Sequence, residues 1–301
     1  MTTEVSRPDL LVAAICAILL SSASLALGDA LIKFFSADFA LWQIFTLRSL
    51  LTLPVLLAMT LRARATFFPK APGWVIVRSL MLVAMWVAYY LALPHLSFSV
   101  AAAGFYTLPI FITLFSAAFT GDRVGPLGWL VVAIGFAGVL LILRPDTAAF
   151  SAYAFLPLLS AILYAAAMVL TRTRCRAEHA LTLSLALNLA FIAIGLLASL
   201  WASQIAGDAP GRLTMPWAPM TGAGWGAMAI MALMVLIGSI SAAFAYQSAP
   251  PAIIGVFDFT YVGFAVVWGL VLFAELPDGL TVAGMVMIVL AGVLSLRNRS
   301  R

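Results

Sequence analysis

The chain has 301 residues, of which 64% are hydrophobic and only 9% charged, and its sixteen basic and eleven acidic residues give a formal net charge of +5. Soluble globular domains are about half apolar and about a quarter charged, so this composition excludes a fold whose whole surface faces water. It predicts a multi-pass membrane protein, with lipid covering much of the exterior.

Ten apolar segments follow one another along the chain, each near the roughly 20 residues that a helix needs to cross a bilayer core of about 30 Å. Segments this long and uniformly apolar favour helices over the alternating strands of a membrane barrel. Breaks that combine Pro or Gly with polar residues separate them, as at Gly121–Pro126 and Pro277–Gly279. The predicted fold is an all-α membrane protein with ten transmembrane helices, at residues 10–34, 40–60, 74–94, 98–120, 126–143, 152–171, 181–203, 222–247, 252–274 and 279–296.

The basic residues collect at alternate ends of these predicted helices, which sets the orientation because cytoplasmic loops carry an excess of Lys and Arg. With a cytoplasmic N-terminus, three bases lie outside (Lys33, Arg144 and Arg212) and Arg48 lies within the membrane. Twelve lie inside: Arg7, Arg62, Arg64, Lys70, Arg78, Arg123, Arg172, Arg174, Arg176, Arg297, Arg299 and Arg301. Both termini are therefore predicted to be cytoplasmic, and the positive charge needs no nucleic-acid partner.

The bias in basic residues also indicates the source of the protein. Fourteen of the sixteen bases are arginine, and alanine is abundant, as in proteins from GC-rich bacterial genomes. A bacterial protein with ten spans is expected in the inner (cytoplasmic) membrane.

An internal repeat divides the chain into two halves, residues 1–147 and 148–301. A shift of 153 residues aligns Ala92–Arg123 with the second half and places Asp122 on Glu275, so an acidic turn ends the fourth span of each half. Each half has five spans, an odd number, so the second half must enter the membrane inverted. Inverted repeats of this kind place a binding site near the midplane, between the halves.

The ten spans and the two acidic turns, Gly121-Asp122-Arg123 and Ala274-Glu275-Leu276, resemble the EamA branch of the drug/metabolite transporter superfamily. The resemblance covers about residues 10–296 and within the branch is strongest to YddG-type exporters of aromatic and other neutral amino acids. It implies an inverted-repeat fold, export from the cytoplasm and no ATP-binding domain. The turn is usually Gly-Glu in that family, so Gly-Asp and Ala-Glu are departures, and Asp122 and Glu275 are interpreted as structural or gating residues.

Charged residues inside predicted spans are the first candidates for function, because such groups are costly in a membrane. Asp29 and Lys33 are four residues apart on one helix face, and the favoured interpretation is a structural or gating ion pair near the outer mouth. Arg48 is a candidate ligand for a substrate carboxylate, or else it joins two helices. Asp258, the least paired acid in the spans, is a candidate for a substrate ammonium or a transported proton, or else a hydrogen-bonded structural carboxyl.

Aromatic residues away from the helix ends form the second set of candidates. Aromatic walls suit apolar or aromatic side chains and bind cations on their faces, although aromatics at helical spacing also serve in packing. Pro109 in span four predicts a kink that frees a carbonyl group near the cavity. The aromatic candidates for substrate binding are Trp86, Tyr89, Tyr90, Tyr106, Tyr164 and Tyr261.

Together with these features, the resemblance implies an exporter of aromatic and other neutral amino acids that works by alternating access, with the lipid bilayer and the small-molecule substrate as its partners. No Gly-rich Lys-Ser/Thr phosphate loop and no His-Glu-x-x-His motif occur, so no ATPase partner, cofactor, metal or enzymatic activity is expected. The alternatives are an exporter of drug-like cations or other small metabolites and, in a different class, an integral-membrane enzyme or receptor subunit. Proton antiport and facilitated diffusion both remain open.

Overall fold

The computed structural model describes residues 7–120, 126–143, 151–205, 213–249, 254, 257–258 and 260–297. Every regular element in these ranges is a helix, and they contain no strand, which confirms the predicted all-α class. Short 3₁₀ turns occupy residues 35–37 and 152–154.

The described residues of the first half form six helices. Pro72 begins α3, a position where its missing N–H group is not needed. Helices α4 and α5 are separated at Tyr106 and Thr107, and Pro109 is the second residue of α5. The helices are α1 (Arg7–Phe34), α2 (Leu41–Arg62), α3 (Pro72–Ala92), α4 (Phe98–Phe105), α5 (Leu108–Thr120) and α6 (Pro126–Leu143).

Five longer helices lie in the described residues of the second half. Thr221 caps the N-terminus of α9, because its side chain accepts a hydrogen bond from Gly224 N at 3.1 Å. Phe257 and Asp258 are also helical and come shortly before α10. The helices are α7 (Phe155–Thr173), α8 (Ala180–Ile205), α9 (Gly222–Ser248), α10 (Thr260–Phe273) and α11 (Gly279–Arg297).

Six helices of the described residues are long and apolar enough to cross a membrane: α1, α2, α3, α7, α8 and α9. Their bounds agree with the predicted spans to within three residues. Three further apolar helices are shorter, at residues 98–112, 260–273 and 279–291. Large apolar side chains, among them Val12, Leu197 and Val271, are exposed on the outside, as lipid contact requires. The count of ten spans stays a prediction.

The core lies between helices from the two halves of the chain. Helix α1 packs on α9 and α10, α3 packs on α7 and α8, α2 packs on α8 and α9, and α6 packs on α11. A Cβ atom at Gly195 of α8 would collide with Thr46 of α2, so the glycine allows these two helices their close approach. The side chains that meet at the centre of this arrangement are tyrosines, phenylalanines and two carboxylates.

Candidate functional site

The Asp258 carboxylate is buried, with 4% of its surface exposed, and it accepts hydrogen bonds from four hydroxyl groups. Ser22 Oγ and Tyr106 OH donate to Oδ1 at 3.0 and 3.3 Å. Tyr246 OH and Tyr164 OH donate to Oδ2 at 3.0 and 3.4 Å. The donors come from α1, the α4–α5 break, α7 and α9, so this carboxylate joins both halves of the chain through neutral groups.

The Asp29 carboxylate, 2% exposed, is held by two tyrosines. Tyr90 OH donates to Oδ1 at 2.8 Å and Tyr261 OH donates to Oδ2 at 2.5 Å. Tyr90 in turn accepts a hydrogen bond from Arg48 Nη1 at 3.4 Å, and Tyr89 OH lies 3.2 Å from Tyr261 OH. Asp29 is therefore linked to a guanidinium through one tyrosine.

The surroundings of the two carboxylates interlock. The rings of Tyr106 and Tyr261 stack at 4.9 Å between centroids, and these tyrosines donate to Asp258 and Asp29 respectively. The helix that carries Asp29 also carries Ser22, a donor to Asp258, while Tyr261, a donor to Asp29, comes three residues after Asp258. We call these two carboxylates and their hydroxyl donors the carboxylate cluster.

Arg48 is completely buried among aromatic rings. Its guanidinium carbon lies 4.6 Å from the Phe191 ring centroid, 5.0 Å from that of Phe45 and 6.0 Å from that of Tyr90. Its Nε and Nη2 atoms have no hydrogen-bond partner among the described residues. Cation–π contacts with these rings therefore help to stabilise this charge.

A small cavity of about 40 Å³ lies beside the carboxylate cluster, between α1 and α3 of one half and α7, α8 and α9 of the other. A water molecule needs roughly 10–15 Å³ of such space, so about three waters fit and an amino acid does not. The polar, charged and aromatic residues that line the cavity are Arg78, Trp86, Tyr164, Ser184, Phe191 and Ser239.

One end of the helical bundle is tied by the Lys33 clamp, formed by Lys33, Glu275 and the start of α4. Lys33 Nζ lies 2.6 Å from Glu275 Oε1 and donates to Leu96 O at 3.0 Å. Glu275 Oε2 accepts from Phe98 N at 2.6 Å, as acidic groups do at helix N-termini. The predicted Asp29–Lys33 ion pair is therefore wrong, because Lys33 pairs with Glu275 while Asp29 accepts from Tyr90 and Tyr261.

The backbone just before Glu275 adopts a conformation that normally calls for glycine. Ala274 has φ of 53°, in the left-handed region where a Cβ atom is unfavourable. This conformation ends α10 and directs Glu275 toward α4. The alanine is the departure from the Gly-Glu turn noted in the sequence, and Asp122, the counterpart of Glu275 in the first half, lies outside the described residues.

The opposite end is tied by the Glu178 clasp, formed by Glu178, Gln247 and Arg172. Glu178 Oε1 accepts from Ala71 N at 2.8 Å, next to the start of α3. Gln247 Nε2 donates to the carbonyl oxygens of Glu178 and Cys175 at 2.6 and 3.3 Å. Arg172 Nη1 donates to Gln247 O at 3.0 Å. The loop between α7 and α8 is thus fastened to α3 and α9 together.

The structure separates the predicted aromatic candidates into two groups. Trp86 and Tyr164 line the cavity, and Tyr164 also reaches Asp258. Tyr90, Tyr106 and Tyr261 belong to the carboxylate cluster, and Tyr89 contacts the cluster through Tyr261 OH. None of these four tyrosines lines the cavity.

Three polar residues of the site were not among the predicted ones. Ser22 and Tyr246 donate to Asp258, and their only signal in the sequence is a polar group inside an apolar segment. Arg78 was assigned to the cytoplasmic bases, but it lies in the second turn of α3 with 3% of its surface exposed and lines the cavity. The rule for basic residues assigns any base this close to a predicted helix end to the loop, because it does not consider which face of the helix carries the side chain.

Comparisons with known proteins point to transporters. A family model described as the EamA-like transporter family matches residues 12–144. The riboflavin transporter of Rhizobium johnstonii is 30% identical over 272 residues, which cover 90% of this chain and 84% of that protein. The pseudopaline exporter CntI of Pseudomonas aeruginosa is 26% identical over 297 residues, 97% of this chain and 98% of that protein.

One solved crystal structure has the same fold. It superimposes with a TM-score of 0.68 at 19% identity and covers 98% of this chain and 100% of that chain. At this identity the likeness concerns the fold alone. The named relatives carry pseudopaline and riboflavin, so they support small-molecule transport without specifying amino acids or YddG-type exporters.

Proposed function

This chain belongs to the EamA-like transporter family of the drug/metabolite transporter superfamily, and from that premise we propose that it exports amino acids from the bacterial cytoplasm by alternating access. The cargo is an amino acid with an aromatic or other neutral side chain. The membrane is the bacterial inner membrane, with both termini in the cytoplasm, as the distribution of basic residues favours. One of the named relatives is itself an exporter, which supports the direction of transport.

The packing of the helices supports two inverted halves, residues 1–147 and 148–301. Taken in order along each half, α1 corresponds to α7 and α3 corresponds to α9. Helix α1 packs on α9 and α3 packs on α7, so replacing each helix by its counterpart turns one of these pairs into the other. The pairs α2–α8 and α6–α11 are unchanged by the same exchange. Rocking of one half against the other would open the cavity first to one side of the membrane and then to the other.

The observation that carries the proposal is the setting of Asp258. Four neutral hydroxyl groups hold its carboxylate, and one of them, Tyr164, also lines the cavity. A substrate ammonium that entered an opened cavity would replace a neutral hydroxyl donor with a cationic one, so the Asp258 carboxylate would gain an ion pair in addition to the hydrogen bond. Trp86, beside Tyr164 in the cavity wall, would contact the side chain of the substrate.

In this arrangement the clamp and the clasp act as gates. The Lys33 clamp lies on the periplasmic side and the Glu178 clasp on the cytoplasmic side under the proposed orientation. Both are formed here, and the cavity holds only about three waters. Export would require the clasp to open for loading and the clamp to open for release.

The second candidate is export of drug-like cations, which the aromatic lining and Asp258 also suit. Against it stands Arg48, a buried cation whose guanidinium stacks on Phe191, itself a lining residue of the cavity. A substrate with a single positive charge would be repelled by this guanidinium, whereas the carboxylate of an amino acid would be attracted.

The test is a flux panel with the purified full-length chain in liposomes. Labelled phenylalanine, threonine and a quaternary ammonium compound are each measured with and without an imposed pH gradient. We expect phenylalanine and threonine to cross faster than through empty liposomes, and the quaternary ammonium compound not to. Flux of the cation alone would replace the proposal with the second candidate, and no flux of any amino acid would remove the amino-acid assignment.

A further inference from the structure

We propose that Arg78 binds the carboxylate of the substrate at the cytoplasmic end of the cavity and thereby restricts transport to solutes that carry an anionic group. This inference rests on the proposed function for the direction and route of the cargo. It goes beyond that function in naming the ligand of the substrate's negative charge and the class of molecule that is admitted.

Arg78 is a buried cation without a carboxylate partner in the described part of the chain. Its Nε donates to Thr171 Oγ1 at 2.6 Å, while its Nη1 has no hydrogen-bond partner among the described residues. Among the described residues the one ion pair joins Lys33 to Glu275, so no described carboxylate lies within ion-pair distance of Arg78. A buried charge without compensation is strongly unfavourable unless water or a ligand meets it.

The side chain is placed where a ligand can reach it. Arg78 lines the same cavity as Trp86 and Tyr164, and residue 78 precedes residue 86 by about 12 Å along α3 at 1.5 Å per residue. The start of α3 is held by the Glu178 clasp, so Arg78 is close to the end that opens toward the cytoplasm. A solute entering there would meet the guanidinium first.

The rest of the cavity complements a zwitterion. Tyr164 lines the wall and donates to Asp258, so negative charge lies behind the wall on that side. Arg78 supplies positive charge within the wall, and Ser184 and Ser239, hydrogen-bonded to each other at 3.1 Å, add polar groups from α8 and α9. A guanidinium matches a carboxylate with two parallel hydrogen bonds, which an amide or an alcohol cannot accept with the same strength.

A purely structural role for Arg78 makes a different prediction. Joining α3 to α7 through Thr171 requires a hydrogen-bond donor but no charge. Arg78→Gln keeps a donor and removes the charge, whereas Arg78→Lys keeps the charge and loses the planar fork. Thr171→Val removes the Nε partner and leaves the guanidinium in place, so it serves as the matched control.

The first measurement is ligand-induced thermal stabilisation of the purified full-length protein. The probes are L-phenylalanine, its amide, which lacks the negative charge, and 3-phenylpropanoate, which lacks the amino group. We expect both carboxylates to stabilise the wild type, with half-saturating concentrations at least tenfold below that of the amide. Arg78→Gln should lose this tenfold preference, Arg78→Lys should keep part of it, and Thr171→Val should keep it.

The outcomes that overturn the inference are specific. They are equal stabilisation by the amide and the carboxylates, no stabilisation of the wild type by any carboxylate, or an unchanged preference in Arg78→Gln. If Arg78→Gln does not fold, the wild type and Arg78→Lys still decide, because a preference that is equal in both contradicts a bidentate contact.

Flux in liposomes separates this inference from the proposed function. Carboxylate binding that depends on Arg78, together with no amino-acid flux, would refute amino-acid export and leave the anion site in place. Amino-acid flux that is the same for the wild type and Arg78→Gln, with no discrimination against the amide, would leave export in place and refute the role of Arg78.

Discussion

Asp29 and Asp258 are equally buried but are held in different ways. Asp29 accepts from two tyrosines, one of which also contacts the Arg48 guanidinium, so a cation lies one side chain away. Asp258 accepts from four hydroxyl groups, and none of these hydroxyls is described as contacting a cation. Neither carboxylate has a described cation within ion-pair distance, so one is linked to a buried guanidinium through a shared tyrosine and the other is held by hydroxyl groups alone.

This difference indicates how a transporter can use one carboxylate for structure and leave another able to exchange its hydrogen-bond donors for a substrate. Removing Asp29 would leave Arg48 buried and uncompensated, which is costly for the folded state. The hydroxyls around Asp258 are neutral and can rotate toward other acceptors, so their replacement by an ammonium leaves no charge stranded. We therefore expect substitutions at Asp258 to impair transport and substitutions at Asp29 to impair stability.

The largest effect is expected for Asp258→Asn. The amide has the shape of the carboxylate but no charge to bind an ammonium, so we expect amino-acid flux in liposomes to fall about a hundredfold, or about 2.7 kcal/mol. The midpoint of thermal unfolding should change little, because the amide can still bond to the surrounding hydroxyls. Flux within twofold of the wild type would show that Asp258 is structural and that the comparison is mistaken.

The next effect is expected for Asp29→Asn and concerns stability. The substitution leaves the Arg48 charge without its nearest carboxylate, and we expect the free energy of unfolding to fall by about 2 kcal/mol. Flux per folded molecule should fall less than threefold. Arg48→Met in the same chain should restore part of the loss, since no charge then remains uncompensated. Strictly additive losses in the double variant would show that the two groups are not coupled.

Sequence alone predicts the helices of this fold well, and the reason is physical. A span must present about 20 apolar residues, so the bounds of helices such as α2 and α8 follow from composition to within a few residues. Charged residues inside the spans are also identified from the sequence, because such residues are costly in a membrane. Asp29, Arg48 and Asp258 are all buried at the centre of the structure.

The partners of these residues could not be predicted in the same way. Helical spacing shows that Asp29 and Lys33 share a face, but it does not show which helix packs against that face. Lys33 pairs with Glu275, 242 residues further along the chain, because α1 and α10 meet in the fold. Arg78 was assigned to the cytoplasmic surface for a related reason, since the rule that places basic residues depends on distance from a helix end and not on rotation of the helix.

The smallest effect is expected for the hydrogen bonds that link the surroundings of Asp29 to those of Asp258. Ser22 belongs to the helix of Asp29 but donates to Asp258, and Tyr261 follows Asp258 but donates to Asp29. Ser22→Ala leaves Asp258 with three tyrosine donors, so we expect a loss of about 0.5–1 kcal/mol in unfolding free energy and less than a threefold change in flux. Tyr261→Phe should lower the free energy of unfolding by about 1 kcal/mol for the same reason.

Because both substitutions loosen the same contact between α1 and α10, the double variant should show a coupling of about 0.5 kcal/mol in chemical unfolding. The control is the double variant Tyr246→Phe with Tyr261→Phe, since Tyr246 lies on α9 and not on α1. Coupling of equal size in this control would mean that the carboxylate cluster responds as one unit, without a specific link through α1.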